Sequence, residues 1–177
     1  MAHRLEKKKR PDREVKQLVE RHKISGKVFD DRTLMVLNYF INHKVFTSLD
    51  FPIAQGKEAV VFRATSATSP GGFVAVKIFK NETTSFHKRM QYMYGDRRFP
   101  KPRALRDSIR IWARKEYANL KLCSQRGVSV PEPLGCRENV VVMEYVGKDG
   151  LPWAQLKDVW LEDPSKTLDD VLENMKK

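Results

Sequence analysis

Apolar residues change their spacing four times along the chain, and each change marks an element. Leu34, Leu37, Phe40 and Ile41 follow one another at helical intervals behind Asp31, an N-cap residue type, which predicts a short amphipathic helix ending near His43. Three β-prone runs come next, at 51–54, 59–65 and 73–79, separated by Gln55-Gly56-Lys57 and by Ser69-Pro70-Gly71-Gly72. Their turn chemistry predicts three antiparallel strands. A helical pattern resumes over 107–126, with Ile109, Trp112, Ala113, Tyr117, Leu120 and Leu122 as its buried side and Gly127 as its stop. After the interruption Pro131-Glu132-Pro133, two more strand-like runs, 134–136 and 140–146, flank the turn Arg137-Glu138-Asn139. A last helical row, Leu168, Val171, Leu172 and Met175, lies in the tail. The fold class is therefore α+β, with a five-stranded antiparallel sheet and one long helix between the third and fourth strands.

Charge divides the chain further. Residues 1–27 hold ten Lys or Arg against four Asp or Glu and little to bury, so 1–28 is expected to be a basic arm, mobile or bound to a partner. The unit with a core is expected over 29–146. Within it, 81–106 loses periodicity and becomes basic, the character of a flexible loop with a function. Residues 147–177 are expected to form a link and the start of a second, incomplete unit.

The net charge of +12 favours phosphate-rich or acidic partners. The two cysteines, Cys123 and Cys136, are too few for a disulfide framework or a four-ligand zinc site and read as free thiols. No run of about 18 apolar residues occurs, and the charged amino terminus lacks a secretory core, so a cytoplasmic protein without a membrane segment is expected.

Four segments carry candidate chemistry. In Val74-Ala75-Val76-Lys77-Ile78 the alternation of a strand fixes the Lys77 ammonium on one face, as a phosphate ligand or, if the strand lies at an edge, as a guard against aggregation. Glu116, four residues from both Trp112 and Leu120, falls on the core side of the following helix, where it can position a lysine; an isolated helical Glu is more often merely solvated. Gly56, Lys57 and Glu58 join the first two strands, where a glycine turn can approach an anion or simply close a hairpin. One glycine does not make a G-x-G-x-x-G loop or a Walker motif. Val141-Val142-Met143-Glu144-Tyr145-Val146-Gly147 is a buried strand that could offer main-chain groups to a flat ligand.

Taken together these segments resemble the RIO family of atypical serine/threonine kinases, its first branch in particular. The resemblance rests on Gly56-Lys57-Glu58-Ala59, on Ala75-Val76-Lys77-Ile78, on Trp112-Ala113-Arg114-Lys115-Glu116-Tyr117-Ala118-Asn119-Leu120, on Val130-Pro131-Glu132-Pro133, on Met143-Glu144-Tyr145-Val146-Gly147, and on Tyr92 to Phe99, and it runs from about Phe29 to the end. It implies a kinase-like amino-terminal lobe with an αC-type helix, and ATP and Mg²⁺ as cofactors. Lys77 would bind the α- and β-phosphates, Glu116 would orient Lys77, and Gly56, Lys57 and Glu58 would cover the nucleotide. Ile53, Val61, Ala75 and Met143 would line its pocket, while the main chain of Glu144 and Val146 would read adenine. It also implies work in maturation of the small ribosomal subunit, as a protein kinase or as an ATPase.

One departure bears on activity. The family's chemistry needs an H-x-D loop with a metal-binding Asn and a further Asp, whereas His3, His22, His43 and His87 are followed two residues later by Leu, Ile, Val and Arg. The chain is thus expected to stop before its catalytic loop, to hold no metal ligands of its own, and to be inactive alone unless a second chain supplies the missing lobe. The alternative is a non-catalytic module docking on ribosomal RNA or a pre-small-subunit particle: residues 81–115 hold ten Lys or Arg against three Asp or Glu, with aromatics between them.

Overall fold

Alternation along the central strands decides what each face of the sheet does. The fold is given by a computed structural model that describes residues 28–81, 96–100, 102 and 104–177. Its elements in chain order are α1 (Asp31–Asn42), β1 (Ser48–Gln55), β2 (Ala59–Thr65), a 3₁₀ turn (Pro70–Gly72), β3 (Phe73–Phe79), α2 (Leu105–Gln125), β4 (Pro133–Arg137), β5 (Val140–Glu144), the short strands β6 (Gly147–Lys148) and β7 (Leu151–Pro152), a second 3₁₀ turn (Leu156–Asp158) and α3 (Pro164–Lys176). The first five strands form an antiparallel sheet in the order β1-β2-β3-β5-β4. The α+β class and the long helix between the third and fourth strands are as expected.

Register aligns Val60, Ile78 and Val140 in one row and Phe62, Val76 and Val142 in the next. These even-numbered side chains are buried against Val36, Leu37 and Phe40 of α1 and against Phe46. The odd-numbered set, Ala59, Ala75, Phe79, Val141 and Met143, packs on Ile109 and Ala113 of α2. A helix thus covers each face, which is why β3 and β5 read as continuous apolar runs instead of alternating with polar residues. The edge strand β1 is irregular at Pro52, where a missing N–H is tolerated.

Several boundaries differ from the sequence pattern. Asp30, not Asp31, caps α1: its backbone is extended and its carboxylate accepts the Thr33 amide at 2.8 Å. Burial of the Asp30 carboxyl opposes ionisation, yet bonds from Thr33 and Asn81 outweigh it and keep the group below its ordinary range. The buried face of α1 is Thr33, Val36, Leu37 and Phe40, while Leu34 and Ile41 are 48% and 38% exposed. The sheet selects that stripe because Asn139, buried in the β4–β5 turn, donates to the Thr33 hydroxyl at 2.9 Å and to the Phe79 carbonyl at 3.0 Å. Helical spacing alone fits either stripe.

Leu122 is likewise exposed. Pro133 opens β4 instead of breaking it, and β5 ends at Glu144, two residues early, because the chain turns into the β6–β7 hairpin. Val28, the last residue of the expected arm, is buried in the α1 core. The apolar row of α3 is exposed, and both cysteines are free. Expectations for 1–27 and for most of the 81–106 loop lie outside the described residues.

Replacing Asn139 by Ala leaves a buried hydroxyl and a buried carbonyl without a donor, which should cost about 1–3 kcal/mol. Urea denaturation should show this as a lower midpoint at unchanged m-value.

Candidate functional site

Lys77 stands on β3, the central strand, with Val61 and Val141 as its cross-strand neighbours. That position removes the edge-strand reading, because a lysine guards against strand addition only where a strand edge is open. Its ammonium donates to both oxygens of Glu116, at 2.6 and 2.8 Å. Glu116 is carried there by α2, whose Ile109 and Ala113 are anchored under the same face. Both side chains keep about a quarter of their surface open, 25% and 26%. The pair is therefore held by the fold yet reachable from solvent.

The turn at Gly56 to Glu58 sits at the carboxy-terminal end of β3, since Ala59 pairs with Phe79. It is fastened there. The Gly56 amide donates to the Ala59 carbonyl at 2.9 Å, the Lys80 ammonium donates to the Gly56 carbonyl at 2.7 Å, and the Lys80 amide donates to the Glu58 carbonyl at 2.8 Å. A Cβ added at Gly56 would meet only the Ala59 carbonyl, at an ordinary 3.6 Å. Among the described residues, nothing in the packing asks for glycine there.

At the opposite end of β3, Val74 pairs with Glu144, where β5 runs out. Glu144 thus lies about 16 Å along the sheet from the turn, five residue steps away, with Lys77 between the two ends and Val146 just beyond Glu144. Ala75, buried, pairs with Met143 on the same face as Lys77 and Val61. Ile53 on β1 is half-buried, and Lys57 is exposed. The Glu144 amide is already used: it donates to the Glu132 carbonyl at 2.8 Å, and the Glu144 carboxylate accepts the Glu132 amide at 3.1 Å. The amide of Glu144 is accordingly not a group that can read a ligand.

Two features escape the sequence reading. Lys115 and Asn119, one turn apart on α2 beside Glu116, hold the segment at Asp96: Lys115 pairs with the Asp96 carboxylate at 3.3 Å, and Arg98 bridges Asp96 at 2.8 Å and the side-chain Oδ1 of Asn119 at 2.9 Å. The Arg98 hydrogen bonds hold the Asp96 carboxyl far below the ordinary carboxylate range. The i, i+4 spacing of Lys115 and Asn119 was the available signal, but spacing names no distant partner. The second feature is a cavity of about 380 Å³ beside Glu116, lined by Trp112, Lys115, Asn119, Leu120 and Cys123. Among the described residues no group of three or more His, Cys, Asp or Glu could hold a metal ion, and no helix is long and apolar enough to cross a membrane.

Comparison with known proteins places these features in a family. The model of the RIO domain family matches residues 60–177. Serine/threonine-protein kinase RIO3 of Caenorhabditis elegans is 39% identical over 132 residues, covering 73% of this chain and 24% of that protein. The RIO-type serine/threonine-protein kinase Rio1 of Methanocaldococcus jannaschii is 36% identical over 163 residues, 92% of this chain and 55% of that protein. Human serine/threonine-protein kinase RIO1 is 34% identical over 142 residues, 77% of this chain and 24% of that protein. The chain therefore spans between a quarter and just over half the length of these relatives. Among solved structures, the Rio2 kinase–ADP/Mg²⁺–phosphoaspartate complex of Chaetomium thermophilum aligns with a TM-score of 0.55 at 20% identity, over 77% of this chain and 38% of that one. That likeness is one of fold.

A partly solvated ion pair adds little to stability, so a double-mutant cycle with Lys77→Met and Glu116→Leu, read by urea unfolding, should give a coupling of about 0.5–1 kcal/mol. A coupling several times larger would make the pair a structural element first.

Proposed function

The chain belongs to the RIO family of serine/threonine-protein kinases, and on that premise we propose that it is the ATP-binding portion of such an enzyme. The observation that carries the proposal is the Lys77–Glu116 pair on the central strand, open to solvent and lying between a fastened turn and the exit of β5. Lys77 is the phosphate ligand, Glu116 holds its ammonium in place, and Gly56, Lys57 and Glu58 cover the phosphates. That no described residue demands glycine at 56 fits a backbone that leaves room for a ligand. Ile53, Val61, Ala75 and Met143 form the apolar wall. The adenine edge is read by the main chain of Glu144 and Val146 at the end of β5; the Glu144 amide is engaged with the Glu132 carbonyl, so the share of Glu144 falls to its carbonyl.

ATP brings Mg²⁺ with it in this reading. The Rio2 complex carries ADP and Mg²⁺, which supports the same pair here. In this reading the metal ligands and the catalytic Asp come from outside this sequence, whose histidines lack an H-x-D context. Phosphoryl transfer, to protein or to water, then requires a carboxy-terminal lobe. Maturation of the small ribosomal subunit in the cytoplasm is the proposed setting, and the net charge of +12 suits a contact with ribosomal RNA or a pre-small-subunit particle.

Titration of the chain with ATP tests this. Removing one charge-assisted contact in Lys77→Ala should weaken ATP binding about 10- to 100-fold. Gly56→Ala should weaken it too while moving stability by less than about 0.5 kcal/mol. With Mg²⁺-ATP the chain alone should release no phosphate above background. ATP binding untouched by Lys77→Ala, beside an RNA affinity that collapses with salt, would favour the docking module instead.

A further inference from the structure

β2 places one charged side chain on the face that it shares with Lys77. Arg63 occupies the row next to that of Lys77, beside Ala75 and Met143, at the end of the sheet where β5 exits. Its Nε donates to the Asp50 carboxylate at 2.8 Å, its Nη1 donates to the Gly150 carbonyl at 2.8 Å, and its guanidinium carbon lies 4.4 Å from the ring centroids of both Phe51 and Phe73. Asp50 is fixed in turn by the Ser48 and Thr65 hydroxyls, each at 3.1 Å. One planar side chain thereby ties β1, β2 and β3 to the turn between β6 and β7.

That turn is built to receive it. Gly150 has φ of +77°, and a Cβ there would lie 2.7 Å from Nη1 of Arg63. The Gly150 carbonyl also accepts the Tyr145 hydroxyl at 3.0 Å, and Tyr145 packs on Phe73 at 5.8 Å between ring centroids. Gly147 is locked by its own hairpin, where a Cβ would collide with the Leu151 carbonyl. The Trp153 amide donates to the Val146 carbonyl at 3.3 Å. Val146 is thus the last residue before a stiff hairpin whose anchor to the sheet is Arg63, with Tyr145 as the lesser support.

We propose that Arg63 is a positioning residue for base recognition: through Gly150 it sets where the Val146 main chain meets the purine edge, and so governs which base is accepted. The inference rests on the nucleotide reading given above and adds the determinant of base preference. Adenine presents an amino donor where guanine presents a carbonyl acceptor, so a backbone held in one place satisfies one base and leaves unpaired polar groups against the other. A hinge that can shift by an ångström loses that discrimination first, because hydrogen bonds weaken steeply with distance and angle. The phosphates, gripped from the neighbouring row, are common to ATP and GTP.

The test is the ratio of ATP to GTP affinity, measured by calorimetric titration or competition on the full chain. The wild type should prefer ATP. Arg63→Met should cut the ratio about tenfold, chiefly by weakening ATP, and Tyr145→Phe, the milder variant, about threefold. Lys77→Ala should weaken both nucleotides by one factor and leave the ratio alone. A ratio unchanged in both Arg63→Met and Tyr145→Phe overturns the role of Arg63 while leaving the nucleotide site standing. A wild type that binds neither nucleotide overturns the nucleotide reading itself, and one that binds both equally overturns the reading of the base edge.

Discussion

An ammonium group rising from the middle of a sheet, with valines on either side, is tolerated only where a carboxylate meets it and solvent still reaches both. This constraint organises the molecule. It requires a helix across the odd-numbered face of β2, β3 and β5, set so that one acidic residue reaches the central strand. The fold meets it with α2, which is anchored by Ile109 and Ala113 and delivers Glu116 to Lys77 at 2.6 Å. The opposite face is then free to be a plain core, and α1 closes it with Val36, Leu37 and Phe40. One side of the sheet carries stability and the other carries the charged pair, at the modest net energy that a solvated ion pair provides.

The same face has an internal order. Along it lie, in order, the turn with Gly56 beyond the Ala59–Phe79 row, the Lys77 row, and the Arg63 row next to the exit of β5. A charged anchor flanks each end: Lys80 pins the turn through the Gly56 carbonyl, and Arg63 pins the hairpin through the Gly150 carbonyl. In both cases a long cationic side chain, one in β2 and one just past the end of β3, grips a main-chain carbonyl of an excursion. Such contacts fix the backbone itself, independently of the excursion's own side chains. They also leave side chains at the turn tip, such as Lys57, open to solvent.

Short β-prone runs bounded by turn residues made the sheet legible, because runs such as Val140 to Met143 and Phe73 to Phe79 admit one arrangement once the turns are recognised. Lys77 and Glu116 were legible for a related reason: their positions in the pattern assign each to a face before any contact is known. The stripe of α1 was not, since Leu34 and Ile41 fit helical spacing as well as Val36 does, and the choice is made by Asn139, 106 residues away from Thr33. Arg63 was missed because a lone arginine in a strand looks like a solvated residue, and its partners Asp50 and Gly150 are separated by 100 positions. Pairings at such range have no local signature. The occupied amide of Glu144 belongs to the same class, as it depends on where the chain at Glu132 passes.

The central claim is that a nucleoside triphosphate lies along β3 with its phosphates on Lys77 and its base at Val146. The most direct measurement is a crystal structure of the chain with a non-hydrolysable ATP analogue. The account predicts phosphate oxygens at hydrogen-bonding distance, about 3 Å, from Nζ of Lys77, with Glu116 still paired to it and the purine edge against the Val146 main chain. Density for the analogue elsewhere on the molecule, with the Lys77–Glu116 pair untouched by ligand, would contradict it.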